Sequence, residues 1–181
     1  MRTIFTITMM FFSLSAMACK SSLLDHNFRK LASSEEVNLC EAYSGKVLLI
    51  VNTASKCGFT YQYNDIETLH QKYKKDGLII IGIPSNDFGN QELSSNQKVK
   101  EFCTINFDIS FMLTEITNIK GEKGHPFFKW VKKEAGFLAF PKWNFYKYLI
   151  NKEGLLVKWY TSTTRPSSTK ITTEIDKIIL K

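Results

Sequence analysis

Two uninterrupted apolar runs, separated by an amphipathic segment, dominate the hydropathy pattern of the chain. The runs cover residues 47–51 and 78–83, and β-branched runs of this kind are typical of strands that are buried on both faces of a sheet. Residues 61–75 lie between them and combine helical apolar spacing with a charged opposite face. The apolar positions of this segment are Tyr63, Ile66, Leu69 and Tyr73. The pattern predicts a right-handed βαβ unit with parallel strands.

Further helices are predicted on the carboxyl side of this unit. Residues 95–102 have a helical pattern that ends near Cys103, and His125 with Pro126 opens another helix. Ser168 is a good N-cap for a final helix with regularly spaced isoleucines.

Shorter extended segments complete the pattern. A short edge strand is predicted around Phe28, and another extended piece at residues 111–113. Aromatic and β-branched residues predict strands at 143–150 and 155–160, joined by a hairpin turn. The resulting fold class is α/β, with a central mixed β-sheet flanked by helices in the layout of the thioredoxin fold. We expect one such domain, over residues 19–181.

The first 18 residues have the pattern of a secretory signal peptide. Arg2 precedes a short apolar stretch, and Ala16-Met17-Ala18 is a small-x-small cleavage pattern. Cleavage after Ala18 would leave Cys19 at the N-terminus, where lipidation in a bacterial lipoprotein is the alternative to simple cleavage. We therefore expect export to the periplasm or the medium.

Composition and charge exclude several function classes. The formal net charge is +7, but the basic residues are scattered, so nucleic-acid binding is not expected and only a weak attraction to anionic membranes remains. The chain has four cysteines without a Cys-x-x-Cys motif, and three histidines far apart in sequence. Neither a disulfide scaffold, nor a metal site, nor a bound cofactor is expected.

Cys57 is the candidate reactive residue. It follows the strand predicted at 47–51 and precedes the helix predicted at 61–75, beside Lys56. Unpaired backbone N–H groups and the positive end of a helix dipole favour a thiolate in such a position. The alternative interpretation is a small buried apolar side chain.

Three sequence blocks resemble the glutathione peroxidase family. They are residues 51–60 around Cys57, residues 86–92, which include Gln91, and Trp143-Asn144-Phe145. The resemblance implies that Cys57 is the peroxidatic residue and that Gln91, Trp143 and Asn144 are its catalytic partners. Uncharged donors of these types can hold a thiolate and stabilise charge that develops on a leaving oxygen.

The resemblance also implies a role for Cys103. In thioredoxin-dependent members of the family a resolving cysteine follows the glutamine loop, and Cys103 matches that position. The implied cycle reduces hydrogen peroxide and organic or lipid hydroperoxides through a Cys57 sulfenic acid and a Cys57–Cys103 disulfide. A thioredoxin-like protein would recycle the disulfide, with glutathione as the less expected reductant. Local unwinding of the helix around Cys103 is expected.

Several positions depart from the family pattern. Ser85 replaces a common cysteine, Leu93 replaces a common proline, and Asp87 places a negative charge near the site that would weaken thiolate stabilisation. The short segment between Gly136 and Trp143 resembles the monomeric, phospholipid-hydroperoxide type, so a monomer is expected. Cys40 is interpreted as structural or as an alternative thiol partner.

Two other functions remain open on the sequence. One is a redox-inactive binding protein with the same fold, held at the cell envelope through a lipidated Cys19. The joint presence of Cys57, Gln91, Trp143 and Asn144 argues against it. The other is a thiol-disulfide oxidoreductase, which would normally use the Cys-x-x-Cys motif that this chain lacks.

Overall fold

A computed structural model describes residues 22–180 of the protein. The predicted signal peptide and Cys19 lie outside the described residues. The strands are β1 (Asn27–Arg29), β2 (Glu36–Asn38), β3 (Val47–Thr53), β4 (Leu78–Pro84), β5 (Met112–Leu113), β6 (Lys147–Ile150) and β7 (Leu156–Tyr160). The helices are α1 (Leu39–Tyr43), α2 (Gln62–Tyr73), α3 (Asn96–Phe107), α4 (Pro126–Glu134) and α5 (Thr169–Ile179).

The central sheet has five strands in the order β5-β4-β3-β6-β7. Strand β3 pairs in parallel with β4 and antiparallel with β6, so the sheet is mixed, and β3-α2-β4 is the predicted βαβ unit. This confirms the predicted α/β class and the thioredoxin layout. The predicted edge strand near Phe28 instead pairs with β2 in a separate two-stranded sheet.

Helices cover both faces of the central sheet, which explains why its central strands are continuously apolar. Alternate residues of β3 point into two different clusters. Leu49 packs in the cluster with α2, α3 and α5, whereas Leu48 packs in the cluster with α1 and α4. Every residue of β3 is buried as a result.

Helix α3 is longer than the sequence pattern predicted. It was expected to end near Cys103 but continues for four residues, to Phe107. Asp108 ends it in the left-handed conformation, at φ 48°, and donates its backbone N–H to the carbonyls of Cys103 and Thr104. Cys103 therefore lies inside a capped helix and is only 1% exposed.

The strand predicted at residues 143–150 is wrong in its first half. Strand β6 begins only at Lys147, and the preceding residues form an irregular segment. Phe145 has φ 64°, which strand geometry does not allow. The aromatic content of this segment suggested a strand, but backbone and side-chain contacts with Asn52 on β3 decide its path.

The loops that follow β3 and β4 meet at the carboxyl end of this parallel pair, where ligand sites of α/β sheets usually lie. They are joined by the backbone N–H of Lys56, which donates to the carbonyl of Gln91 at 2.8 Å. Among the helices of residues 22–180, none has the length and apolar character needed to cross a membrane.

Candidate active site

Cys57 lies in a tight turn between β3 and α2, and Thr60 closes that turn. The hydroxyl of Thr60 accepts the backbone N–H of Cys57 at 3.0 Å and donates to the carbonyl of Ala54 at 2.9 Å. Its own N–H donates to the carbonyl of Cys57. Helix α2 begins two residues later, at Gln62, so Thr60 shapes the cysteine turn and does not cap the helix.

The Cys57 sulfur receives a backbone hydrogen bond. The N–H of Phe59 points at Sγ with a nitrogen–sulfur distance of 3.4 Å. Cys57 is a free thiol and is 7% exposed, so a small oxidant can reach a sulfur that is otherwise enclosed. The N–H of Phe59 belongs to the tight turn around Cys57. The expected source of such a donor was the beginning of α2, which starts only at Gln62.

Glu92 joins the cysteine turn to the loop after β4, a role that sequence reasoning missed. Its carboxylate accepts the backbone N–H of Ser55 at 3.1 Å and that of Leu93 at 2.8 Å. Its own N–H donates to the side chain of Asn86. Burial raises the pKa of Glu92, and the hydrogen bonds from Ser55 and Leu93 oppose that rise. The sequence signal that could have revealed this role is the position of Glu92 next to Gln91, within the block of residues 86–92.

Gln91 and Asn144 are brought together by their side chains. The amide nitrogen of Asn144 donates to Oε1 of Gln91 at 3.1 Å and lies 3.4 Å from the carbonyl of Phe88. This bond uses the oxygen of Gln91 and so leaves the two N–H donors of the glutamine for other partners. The hydrogen bond therefore determines which end of the Gln91 amide faces Asn144 and which end remains available to other groups.

Trp143 is not a core residue, because its side chain is 39% exposed. Its ring lies over the loop that carries Gln91, with a distance of 6.4 Å between the ring centroids of Trp143 and Phe88. Gly89 lies beneath it at φ 71°, and a Cβ there would come within 3.3 Å of the Trp143 ring. The sequence analysis did not single out Gly89. Its positive φ suits glycine, and its lack of a side chain leaves room for the indole ring of Trp143.

Asn52 and Ser162 hold the segment that presents Trp143 and Asn144. The Asn52 side chain donates to the carbonyl of Trp143 at 3.1 Å and accepts the N–H of Tyr146 at 2.9 Å. The hydroxyl of Ser162 donates to the carbonyl of Asn144 at 2.6 Å. These two supporting residues were also missed, since asparagine and serine carry no distinctive signal at such positions.

Cys103 lies inside α3 and belongs to the same hydrophobic cluster as Cys57. It is a free thiol, and burial raises its pKa to about 12, against a smaller opposing effect from the nearby Tyr63 hydroxyl. A neutral, enclosed thiol is a poor nucleophile.

Cys40 is excluded as an alternative free thiol. It is buried in α1 and disulfide-bonded.

The expected effect of Asp87 on the thiolate finds no support in the position of its carboxylate. One carboxylate oxygen of Asp87 accepts the backbone N–H groups of Ile119 and Lys120. Its negative charge is directed at that loop and helps to position it. Among residues 22–180, no group of three or more histidine, cysteine, aspartate or glutamate side chains is arranged to hold a metal ion.

Comparisons with known proteins show what the chain is similar to. The family model described as glutathione peroxidase matches residues 24–132. A glutathione peroxidase from Lactococcus lactis is 37% identical over 85% of this chain and 98% of its own length. The glutathione peroxidase-like peroxiredoxin HYR1 of Saccharomyces cerevisiae is 43% identical over 72% of this chain and 82% of its own.

A solved structure supports the same assignment. The crystal structure of Trgpx in its apo form superposes with a TM-score of 0.70 at 36% identity, and covers 90% of this chain and 97% of that one. With a matching family model and relatives of this similarity, the chain belongs to the glutathione peroxidase family.

Proposed function

We propose that this protein is a thiol peroxidase in which Cys57 reduces hydroperoxides. The observation that carries the proposal is that three separate segments meet beside the turn that holds a free thiol. The backbone carbonyl of Gln91 binds the turn of Cys57, and the side chain of Gln91 is bound by Asn144. A binding protein without redox activity has no need of these amide donors next to a turn that carries a free thiol.

The first step is a two-electron oxidation of sulfur. The Cys57 thiolate attacks the terminal oxygen of the hydroperoxide, an S–O bond forms and the O–O bond breaks. The electron pair leaves with the second oxygen, which takes a proton to become an alcohol or water, and Cys57 becomes a sulfenic acid. The amide of Gln91 and the indole N–H of Trp143 are the proposed donors to the leaving oxygen.

The second step forms a disulfide with Cys103. The Cys103 thiol condenses with the sulfenic acid of Cys57, an S–S bond forms and water leaves. Because Cys103 is buried within α3, local opening of that helix must come first. An external dithiol then supplies two electrons and two protons to restore both thiols.

The proposed reductant is a thioredoxin-like protein. The names of several relatives, such as the peroxiredoxin HYR1, support this choice over glutathione. A resolving cysteine within the chain also makes a second small thiol unnecessary. Glutathione is the second candidate, and it would have to reach the sulfenic acid of Cys57 directly.

Lipid hydroperoxides are the proposed bulky substrates, and the surface beside Trp143 supports that choice. Phe137 and Leu138 are exposed there, and the ammonium of Lys142 lies 3.0 Å from the centroid of the Phe137 ring. Apolar side chains rimmed by lysines suit the surface of an anionic membrane. We call Phe137, Leu138 and Lys142 the membrane patch. Weak, reversible association of a monomer with the lipid surface is proposed.

Export is the proposed localisation, to the periplasm or the medium. The disulfide at Cys40 fits an oxidising compartment. The mass of the protein recovered from an exporting host tests whether the chain is exported and what happens to Cys19. A mass that matches cleavage after Ala18 supports simple export, and an added diacylglycerol mass supports the lipoprotein. An uncleaved chain retained in the cytoplasm would contradict the proposal.

The central experiment measures peroxide consumption with thioredoxin and its reductase, and separately with glutathione. Wild type, Cys57→Ser and Cys103→Ser are compared. Thioredoxin-dependent activity that is lost in both variants supports the two-cysteine cycle. Activity of Cys103→Ser with glutathione would leave Cys57 as the nucleophile and reject the resolving role.

Intact mass after peroxide treatment separates the peroxidase from the binding protein. Loss of two hydrogens, mapped to Cys57 and Cys103, supports the enzyme. An unchanged mass together with no peroxide consumption would favour the redox-inactive alternative.

A further inference from the structure

Lys147 is a fully buried lysine at the first position of β6, next to the segment that presents Asn144. Its ammonium donates to the carbonyl of Phe145 at 2.8 Å, and lies 3.3 Å from the carbonyl of Thr161 and 3.4 Å from that of Ser162. An ammonium has three N–H donors, so three carbonyl acceptors satisfy it completely. The side chain therefore joins two backbone segments that meet behind the candidate active site.

Among residues 22–180, no carboxylate forms a direct ion pair with Lys147. Burial lowers the pKa of Lys147 to about 7, against a smaller opposing effect from Asp65 of α2. Both carboxylate oxygens of Asp65 are bound by Arg165. Burying a charge in this way is costly, so a role beyond packing is needed to explain it.

The acceptors of Lys147 point to that role. Phe145, whose carbonyl receives the shortest of the three bonds, has the left-handed φ of 64°, a conformation that is strained for a bulky residue. Ser162 donates its hydroxyl to the carbonyl of Asn144, and its own carbonyl also accepts the amide of Gln62 at 2.7 Å. Lys147 thus contacts Phe145, which follows Asn144 in the chain, and Ser162, whose hydroxyl binds the carbonyl of Asn144.

We propose that Lys147 is a positioning residue of the peroxidase site, whose buried ammonium holds the strained backbone of Phe145 against Ser162 and so directs the amide of Asn144 at Gln91. This inference rests on the proposed function. The effect of Lys147 is to keep the glutamine amide in the orientation that presents N–H donors.

The test compares Lys147→Met with Asn144→Ala and with the double variant. The rate constant for oxidation of Cys57 by hydrogen peroxide is measured in a single turnover. Lys147→Met is expected to lower it on the order of tenfold, because small misplacements at a reacting centre are costly. If Lys147 acts through Asn144, the double variant will be no slower than Asn144→Ala alone.

Lys152→Met is the matched control. The ammonium of Lys152 also donates to a backbone carbonyl, that of Ile179, at 2.7 Å. Lys152, however, lies at the turn of the β6–β7 hairpin, at the other end of β6 from Lys147. We expect its oxidation rate to equal that of wild type. Lys147→Gln keeps a hydrogen-bond donor on a shorter side chain, so its rate constant for Cys57 oxidation should lie between those of wild type and Lys147→Met. This variant keeps the comparison possible if Lys147→Met folds poorly.

A second readout does not depend on peroxidase activity. In Cys57→Ser protein, the side-chain amide resonances of Asn144 and Gln91 are compared with and without Lys147→Met in ¹⁵N–¹H spectra. Shifts in both pairs support the proposal even if the wild type proves inactive on every peroxide. Unchanged resonances, or fully additive losses of rate in the double variant, would overturn it and leave Lys147 with a purely structural role.

Discussion

The side-chain amide of Asn144 donates a hydrogen bond of 3.1 Å to the side-chain oxygen of Gln91, across a sequence separation of 53 residues. An amide has one oxygen and one nitrogen, so this bond determines which of them faces the rest of the site. Several predictions about Cys57 depend on that orientation and on the helix that encloses Cys103.

Replacing Asn144 by alanine should slow the oxidation of Cys57 by about 10- to 100-fold, because Gln91 loses the partner that orients its donors. Stopped-flow measurement of Cys57 oxidation by hydrogen peroxide checks this. Asn118→Ala, at an exposed position in the loop after β5, is the control. A loss smaller than about threefold in Asn144→Ala would show that the orientation of Gln91 does not depend on this bond.

Weakening the start of α3 should accelerate disulfide formation. Ser95 caps this helix by accepting the N–H of Lys98 at 3.3 Å, and removal of such a cap costs about 1 kcal/mol. If opening of α3 limits the second step, Ser95→Ala should raise the rate of disulfide formation up to about fivefold, without changing the first step.

Quenched-flow mapping of the Cys57–Cys103 disulfide measures that rate. Ser168→Ala is the control, because Ser168 begins α5 without a side-chain capping bond and α5 does not carry Cys103. Equal rates for Ser95→Ala and wild type would indicate that α3 opens by another route or that opening is not limiting.

Lys147 should give the protein a pH-dependent stability. Burial lowers the pKa of Lys147 from 10.5 to about 7 in the folded chain, so between these values the unfolded chain holds a proton that the folded chain has released. Stability must then rise with pH over this window and stay level below it. The difference in unfolding free energy between wild type and Lys147→Met should increase by up to about 1.4 kcal/mol per pH unit.

Urea unfolding at several pH values between about 7.5 and 9 tests this, since higher pH also titrates thiols and tyrosines. Taking the difference between the two proteins removes the contribution of groups that they share. A flat difference over this range would mean that Lys147 keeps its proton throughout, with a folded pKa closer to the ordinary value.

Removing the apolar part of the membrane patch should affect only membrane substrates. Phe137→Ser combined with Leu138→Ser is expected to lower turnover of a phospholipid hydroperoxide in anionic vesicles on the order of tenfold, because the two side chains bury part of their apolar area in the lipid surface, at about 25 cal/mol per Å². Consumption of hydrogen peroxide should not change.

Leu155→Ser is the matched control, since Leu155 is equally exposed but lies at the turn between β6 and β7. Added salt should reduce the vesicle activity of the wild type, because Lys142 then attracts the anionic surface less strongly. Equal loss on hydrogen peroxide and on vesicles would show that the double variant damages the site itself.

The apolar runs of β3 and β4 and the helical spacing of α2 were sufficient to predict the βαβ unit, because local periodicity reports burial directly. The same reasoning predicted the hairpin between β6 and β7 from its turn residues. It failed at residues 143–146, where aromatic content suggested a strand. Contacts with Asn52 and Ser162, distant in sequence, determine that segment, and no local pattern encodes them.

The sequence alone supplied the candidates for the chemistry. Cys57 was predicted from its place between a strand and a helix, and the resemblance to a family added Gln91, Trp143, Asn144 and Cys103. Their residue types also made chemical sense, since a thiolate needs uncharged donors.

Only the tertiary structure decided how those residues relate to one another. It brought the Asn144 amide onto Gln91, enclosed Cys103 within α3 and placed the Lys147 ammonium behind Phe145. Such relationships depend on loops that meet at one end of a sheet, and a hydrogen bond between distant segments exists only after the chain has folded.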